Sequence, residues 1–178
     1  MGVIRPYVPV RLVMGVLTTH GELHDQVVEI LGESYGPVLT ESTHTPFSFT
    51  DYYDEEMGGN PERYFLVFRD LVDPSRLSDI KIHTNQVEER FATGRGRVVN
   101  LDPGLLSAGS LILATTKNRS HRIPLEKGIY AETTLIYYGH QFNALPWTYA
   151  DYGSDRFREL FKMYRTMYMR QLKEEQKS

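Results

Sequence analysis

The stretch TTKNRSHRIPLEKGIYAETT, residues 115–134, concentrates side chains able to hold an anion and to move a proton. Lys117, Arg119, His121 and Arg122 cross one tight turn, and the strand-like run that follows brings Tyr130 and Glu132 alongside. Side chains alternate along a strand, so Tyr130, Glu132 and Thr134 should share one face, opposite Ile129, Ala131 and Leu135. Lys117 and Arg122 suit a phosphate-bearing ligand. His121 and Glu132 suit proton transfer, because an imidazole titrates near neutral pH and a neighbouring carboxylate can share its proton. The same residues could form an internal ion pair or hold a metal ion, and spacing alone leaves these alternatives open.

A second cluster is FSFTDYYDEEMGG, residues 47–59, where Tyr52 and Tyr53 sit among Asp51, Asp54, Glu55 and Glu56. In one reading Asp51 and Glu55 or Glu56 converge on a divalent cation, for which oxygen ligands suit magnesium, calcium or manganese, with Asp51 and Glu56 the chosen pair and magnesium or manganese the expected cofactor. In the other, Asp54, Glu55 and Glu56 neutralise Arg95 and Arg97 of the G-R-G-R run at 94–97 across an exposed rim, each pair contributing roughly 0–1 kcal/mol. Arg97 presents a planar fork suited to carboxylate or phosphate. Adjacent strand-end residues point to opposite faces, so at most one of Tyr52 and Tyr53 joins the core.

The elements that must position these groups follow from periodicity. VRLVMGVLT (10–18) reads as a strand buried on both faces. Thr19-His20-Gly21-Glu22 has capping-box spacing, and Leu23, Val27, Ile30 and Leu31 mark a helix stopped by Gly36-Pro37. A strand around 38–49 and RYFLVFRDL (63–71) form a hairpin around the acidic loop. Asp73-Pro74 caps a second helix, striped by Leu77, Ile80, Thr84, Val87 and Phe91. RVVNL (97–101) is the next strand, closed by Asp102-Pro103-Gly104 with Asp102 as a turn cap. The order β-α-β-β-α-β predicts an α+β protein with a ferredoxin-like core over 10–101. An antiparallel β-meander from LILATTK (111–117), HRIPL (121–125) and IYAETTLIYY (129–138) should follow. A long C-terminal helix capped by Ser154, striped by Phe157, Leu160, Phe161, Tyr164, Met167 and Tyr168, completes 105–173 and a single domain of residues 1–178. The aromatic stripe reads as core, with a homodimer surface as the alternative.

Composition bounds the rest. With 178 residues and 40% hydrophobic content the chain can bury a core without staples, and with no cysteine it has no disulfide or thiolate chemistry. That fits a reducing cytosol or a hot habitat. Prolines and an arginine break the N-terminal apolar run, so no targeting or membrane segment is read and a cytoplasmic location is expected. A net charge of -3 argues against a nucleic-acid partner. Phosphate-loop, dinucleotide-fingerprint, H-E-x-x-H and G-x-S-x-G motifs are missing.

FTDYYDEEMG, VNLDPG, ATTKNRSHRI, GIYAETTL and LPWTYADY, in this order and across almost the whole chain, resemble a prokaryotic family known as domain of unknown function 4416. The resemblance implies that Asp51, Tyr52, Tyr53, Glu56, Asn100, Asp102, Lys117, His121, Arg122, Tyr130, Glu132, Trp147 and Asp151 are signature positions, and it brings no established activity. Pro124 stands where an aromatic is associated with the family. Residues and resemblance together lead to an expected small domain that binds or acts on a phosphorylated or nucleotide-like anion. Arg97, Lys117, Arg122, Tyr52, Tyr53 and Tyr130 would hold the ligand, His121 and Glu132 would do the catalysis, and Asp51 and Glu56 would hold the metal. The alternative is a non-enzymatic interaction or structural module whose polar residues are turn caps and internal salt bridges.

Overall fold

A computed structural model describes residues 2–47, 60–94 and 96–177. Asp51, Tyr52, Tyr53 and Glu56, together with Arg95, lie outside the described residues. The chain runs β1 (Val10–Thr18), α1 (His24–Tyr35), β2 (Val38–Glu41), β3 (Thr45–Pro46), β4 (Glu62–Val72), α2 (Leu77–Phe91), β5 (Val99–Leu106), β6 (Ser110–Thr115), β7 (Ile123–Pro124), β8 (Tyr130–Tyr138), β9 (Gln141–Ala144) and α3 (Asp155–Glu175). Among the described residues all nine strands join one antiparallel sheet, ordered β2-β4-β1-β5-β6-β8-β7, with β3 also on β4 and β9 also on β8. The protein is therefore α+β, with α1 and α2 on one face of the sheet and α3 on the other.

β1 shows why this sandwich forms. Its near-continuous apolar run lies between β4 and β5, and all nine residues are buried. Leu12, Met14 and Val16 meet Val27 and Leu31 of α1 and Ile80 and Val87 of α2. Val13 faces the other way, toward Phe157, Phe161 and Tyr164 of α3. Each such side chain stabilises the fold by roughly 1.5–3 kcal/mol through burial, so the aromatic stripe of α3 belongs to the core. Arg11, fully buried, donates to the carbonyls of Phe68 and Arg69 and to Gln171, while Tyr168 donates to Pro9. These bonds fix the C-terminal half of α3 against the start of β1. Among the described residues no helix is long and apolar enough to cross a membrane.

Two of the expected caps form: Asp73 accepts from the Ser75 N–H at 2.8 Å, and Ser154 accepts from the Phe157 N–H at 3.4 Å. The capping box at Thr19–Glu22 does not. A 3-10 turn at Gly21–Leu23 precedes α1, Thr18 accepts from the His20 N–H, and Glu22 turns to the His20 ring instead.

The second half departs from a simple meander in three ways. β5 does not stop at residue 101 but runs through Asp102-Pro103-Gly104 to Leu106, because β1 pairs with it over its whole length. Asp102 is thus a mid-strand residue and not a turn cap. β8, not β7, is the neighbour of β6, and β7 is two residues on the far edge of β8, shared with β9. Finally, Ile112 pairs Thr133 while Leu111 pairs Leu135, so Thr134 is an extra, bulged residue. The bulge resets the alternation and puts Leu135 on the same face as Glu132, not the opposite one.

Candidate functional site

The site begins with a missing piece of ladder. β5 and β6 pair only from Gly104–Leu106 to Leu111–Leu113. The pairing ends at Pro103, which has no N–H to give. Beyond it β5 stays with β1 and β6 stays with β8, so the two strands part. The edge of β5 opened in this way is served by α2: Glu88 accepts from the Leu101 N–H at 2.8 Å, and Lys81 donates to the Leu101 carbonyl at 2.8 Å. Two buried charges, 3.6 Å apart, thereby replace a strand. A pocket of about 720 Å³ opens in the gap, walled by α2, β5, β6 and β8 and floored by Arg63.

Arg63 is almost fully buried and lies between two carboxylates, Asp102 at 3.0 Å and Asp151 at 3.3 Å. It occupies space left by Gly15, where a Cβ would come 2.5 Å from the Tyr152 hydroxyl and 3.2 Å from the Arg63 guanidinium. Gly15→Ala should therefore lower stability by about 1–3 kcal/mol through overpacking, measured by urea denaturation. A change under about 0.5 kcal/mol, the scale of ordinary surface substitutions, would mean that Tyr152 and Arg63 do not hold this packing.

Asp102 also accepts from Asn100 at 2.9 Å, Asn100 accepts from Arg97 at 3.3 Å, and Arg97 reaches Glu88 at 3.2 Å. One polar chain thus runs along the wall from α2 to Asp151. Its two aspartates are driven apart in acidity. Burial would raise Asp102, but Arg63 and Lys81, with the hydrogen bonds from Arg63 and Asn100, outweigh it and hold its carboxyl below the usual range. Burial wins at Asp151 and raises its carboxyl despite Arg63. Environments that push paired carboxyls in opposite directions separate an ionised group from one able to carry a proton.

The opposite wall is the basic hairpin. Glu132, 2% exposed, takes Arg122 Nε at 2.6 Å and His121 Nε2 at 3.0 Å on one oxygen, Oε2. Its other oxygen, Oε1, is buried with no hydrogen-bond partner among the described residues. Arg122 also donates to the Lys117 carbonyl and to the Tyr149 hydroxyl. Burial pushes the Tyr149 phenol up, with Arg122 opposing. Tyr149 and Asp151 arrive on the loop before α3, and that loop is fixed by the β8 bulge: Trp147 donates to the Thr133 carbonyl at 2.9 Å and Thr148 to the Thr134 carbonyl at 2.6 Å. The Trp147 ring then stacks on His121, centroids 4.8 Å apart.

The family model for a domain of unknown function (DUF4416) matches residues 8–168. The chain belongs to the DUF4416 family. No curated protein and no solved structure matches it. Of the segments on which the resemblance was read, within the described residues VNLDPG supplies Asn100 and Asp102, ATTKNRSHRI supplies Lys117 and Arg122, GIYAETTL supplies Glu132, and LPWTYADY supplies Tyr149 and Asp151, all lining this one pocket.

Among the sequence-derived site residues in this DUF4416 chain, Arg97, Lys117, Arg122 and Glu132 line the pocket. His121 lies behind Glu132, and Tyr130, although on the same strand, is not part of the lining. Sequence reasoning missed Arg63, Lys81 and Glu88. A signal for the last two existed: Lys81 and Glu88 are seven residues apart, two turns along the apolar stripe of α2, where charges must find partners. Arg63 had only its position at the start of an apolar strand.

Proposed function

We propose that the pocket binds a small phosphorylated or nucleotide-like anion, with Arg97, Lys117 and Arg122 receiving its charge. The supporting observation is convergence: four separate sequence motifs meet in one concavity of about 720 Å³, within the roughly 300–1,000 Å³ usual for small-molecule sites. Glu132 lies on the wall, and His121, bonded to its Oε2, orients this carboxylate. Asp151, with its raised carboxyl, is a proton carrier, and Asp102 stays ionised beside Arg63. Asp51 and Glu56 would add magnesium or manganese, and a titration that Asp51→Asn plus Glu56→Gln leaves unchanged would remove them from the site. The strand order β2-β4-β1-β5, with α1 and α2 as connections, supports reading residues 10–106 as a ferredoxin-like unit carrying the site on its β5 edge.

Thermal-shift and calorimetric titrations with inorganic phosphate, sugar phosphates and nucleotides test the proposal, since a ligand of the native state raises the melting temperature. Lys117→Ala is expected to weaken the bound anion by about 1.5–3 kcal/mol, the range for a charge-assisted hydrogen bond. No anion raising the melting temperature, or one whose affinity ignores Lys117, would overturn the reading. A second reading, a non-enzymatic interaction module, is favoured by one observation: Arg122 already has Glu132, Tyr149 and the Lys117 carbonyl as partners.

A further inference from the structure

A different cluster lies on the α1 side of the sheet. His24 opens α1, Glu41 closes β2, and His44 lies in the short link to β3. His24 Nε2 is 3.0 Å from Glu41 Oε1, and His44 Nε2 is 2.7 Å from the same oxygen. One donor atom from each residue lies within 4.8 Å of the other two. We propose that His24, His44 and Glu41 bind a divalent transition-metal ion, with zinc the best fit.

The outer partners carry the argument. His24 Nδ1 faces Asp25 Oδ1 at 3.0 Å, and His44 Nδ1 faces Glu62 Oε2 at 3.3 Å. A carboxylate on Nδ1 fixes the proton there and turns the Nε2 lone pair inward, the arrangement in which metal-bound histidines are usually held. Two such lone pairs around one carboxylate oxygen repel unless a cation or extra protons lie among them. Ligands at 2.0–2.2 Å from a tetrahedral ion are roughly 3.3–3.6 Å apart, so the contacts of His24 and His44 with Glu41, at 3.0 and 2.7 Å, would open by a small side-chain rotation to admit the ion.

The rings are also held in place. His44 stacks on Tyr64 with centroids 4.0 Å apart and planes 4° from parallel, and His24 tilts against the same ring at 5.5 Å. Tyr64 is 1% exposed, so this floor is part of the packed core. Imidazole donors favour zinc and its neighbours over magnesium or calcium. Two histidines and one glutamate leave a fourth position, and the partial exposure of all three side chains turns it to solvent, as in hydrolytic zinc sites. Tyr64 and Arg63 are adjacent on β4 and point to opposite faces, so this site is separate from the anion pocket.

Tag-free protein stripped with a chelator and titrated with Zn(II) by calorimetry tests the assignment, with Co(II) absorption as a second readout. One equivalent should bind, Co(II) should give the intense visible bands of tetrahedral coordination, and Zn(II) should raise the melting temperature. His44→Ala should abolish all three effects. Glu62→Gln should weaken binding by about 10–100-fold, as expected of an outer partner, and Glu33→Gln, on the exposed side of α1, should leave zinc binding unchanged. His24→Gln, at a partly exposed helix start, keeps the test valid if His44→Ala misfolds. Absence of stoichiometric binding would overturn the site and leave a proton-sharing cluster; binding that survives both histidine substitutions would overturn it as adventitious.

Discussion

Replacing Arg63 with alanine is expected to destabilise the protein by about 3–5 kcal/mol at pH 7, the cost of leaving buried charge without its partner. Arg63 holds Asp102 at 3.0 Å and Asp151 at 3.3 Å, and its own side chain is 4% exposed. The pH dependence gives the loss a signature. In the native protein the lowered Asp102 carboxyl contributes stability that is present above its unfolded pKa of about 3.9 and is lost as pH falls through its lower folded value. The raised Asp151 carboxyl acts in the opposite sense: the folded state binds its proton first, so stability is gained as pH falls through its folded value. Without Arg63 both carboxyls lose the cation that lowers them, so each binds its proton more readily in the folded state than it does in the parent. The difference between mutant and parent should then shrink as the pH is lowered from 7 toward 4. Urea denaturation at a series of pH values reads this directly. A loss below about 1 kcal/mol, or one that stays constant with pH, would mean that the two aspartates are not held by this arginine.

Arg122→Ala is the second large effect. Arg122 is 5% exposed at its side chain and bonds a glutamate that is 2% exposed, so its removal should lower stability by about 3 kcal/mol, the lower end for a broken buried pair because His121 still donates to Glu132. Glu132→Gln in the Arg122→Ala background should recover part of this loss by removing the stranded charge. Anion affinity, measured on the same proteins, separates the two readings of the pocket. If Arg122 receives the ligand, affinity falls by about 1.5–3 kcal/mol beside the stability loss. If the hairpin is only a structural ion pair, stability falls and the parent protein shows no anion binding to lose. The second result would end the ligand reading of this wall.

The basic hairpin could be found in the sequence because it is local. Arg122 and Glu132 are ten residues apart, Arg122 just before β7 and Glu132 on β8, and the short β7–β8 hairpin brings them together. The opposite wall was not local. Asp102 looked like a cap before Pro-Gly, since that tripeptide favours turns in isolation. Pairing along the whole of β1 overrides that preference, and the same Pro103 then ends the β5–β6 ladder and opens the pocket. Arg63 is separated from Asp102 by 39 residues, and Asp151 lies further along the chain still.

Apolar periodicity, two side-chain caps and the cysteine-free composition were enough to determine an α+β chain with a double-faced central strand, a helix stopped at Gly36-Pro37, a second begun at Asp73-Pro74, and an aromatic helix that closes the core. The order of family motifs was enough to place the chain in its family. Which motifs meet was decided only by tertiary structure: by strand order, by the bulge at Thr134 that fixes the Trp147 loop, and by the gap that α2 fills with Lys81 and Glu88. The physical reason is range. Periodicity and capping are set by neighbours within a turn or two, whereas a site assembled from β4, β5, β8 and the loop before α3 depends on register between segments whose local patterns carry no record of one another.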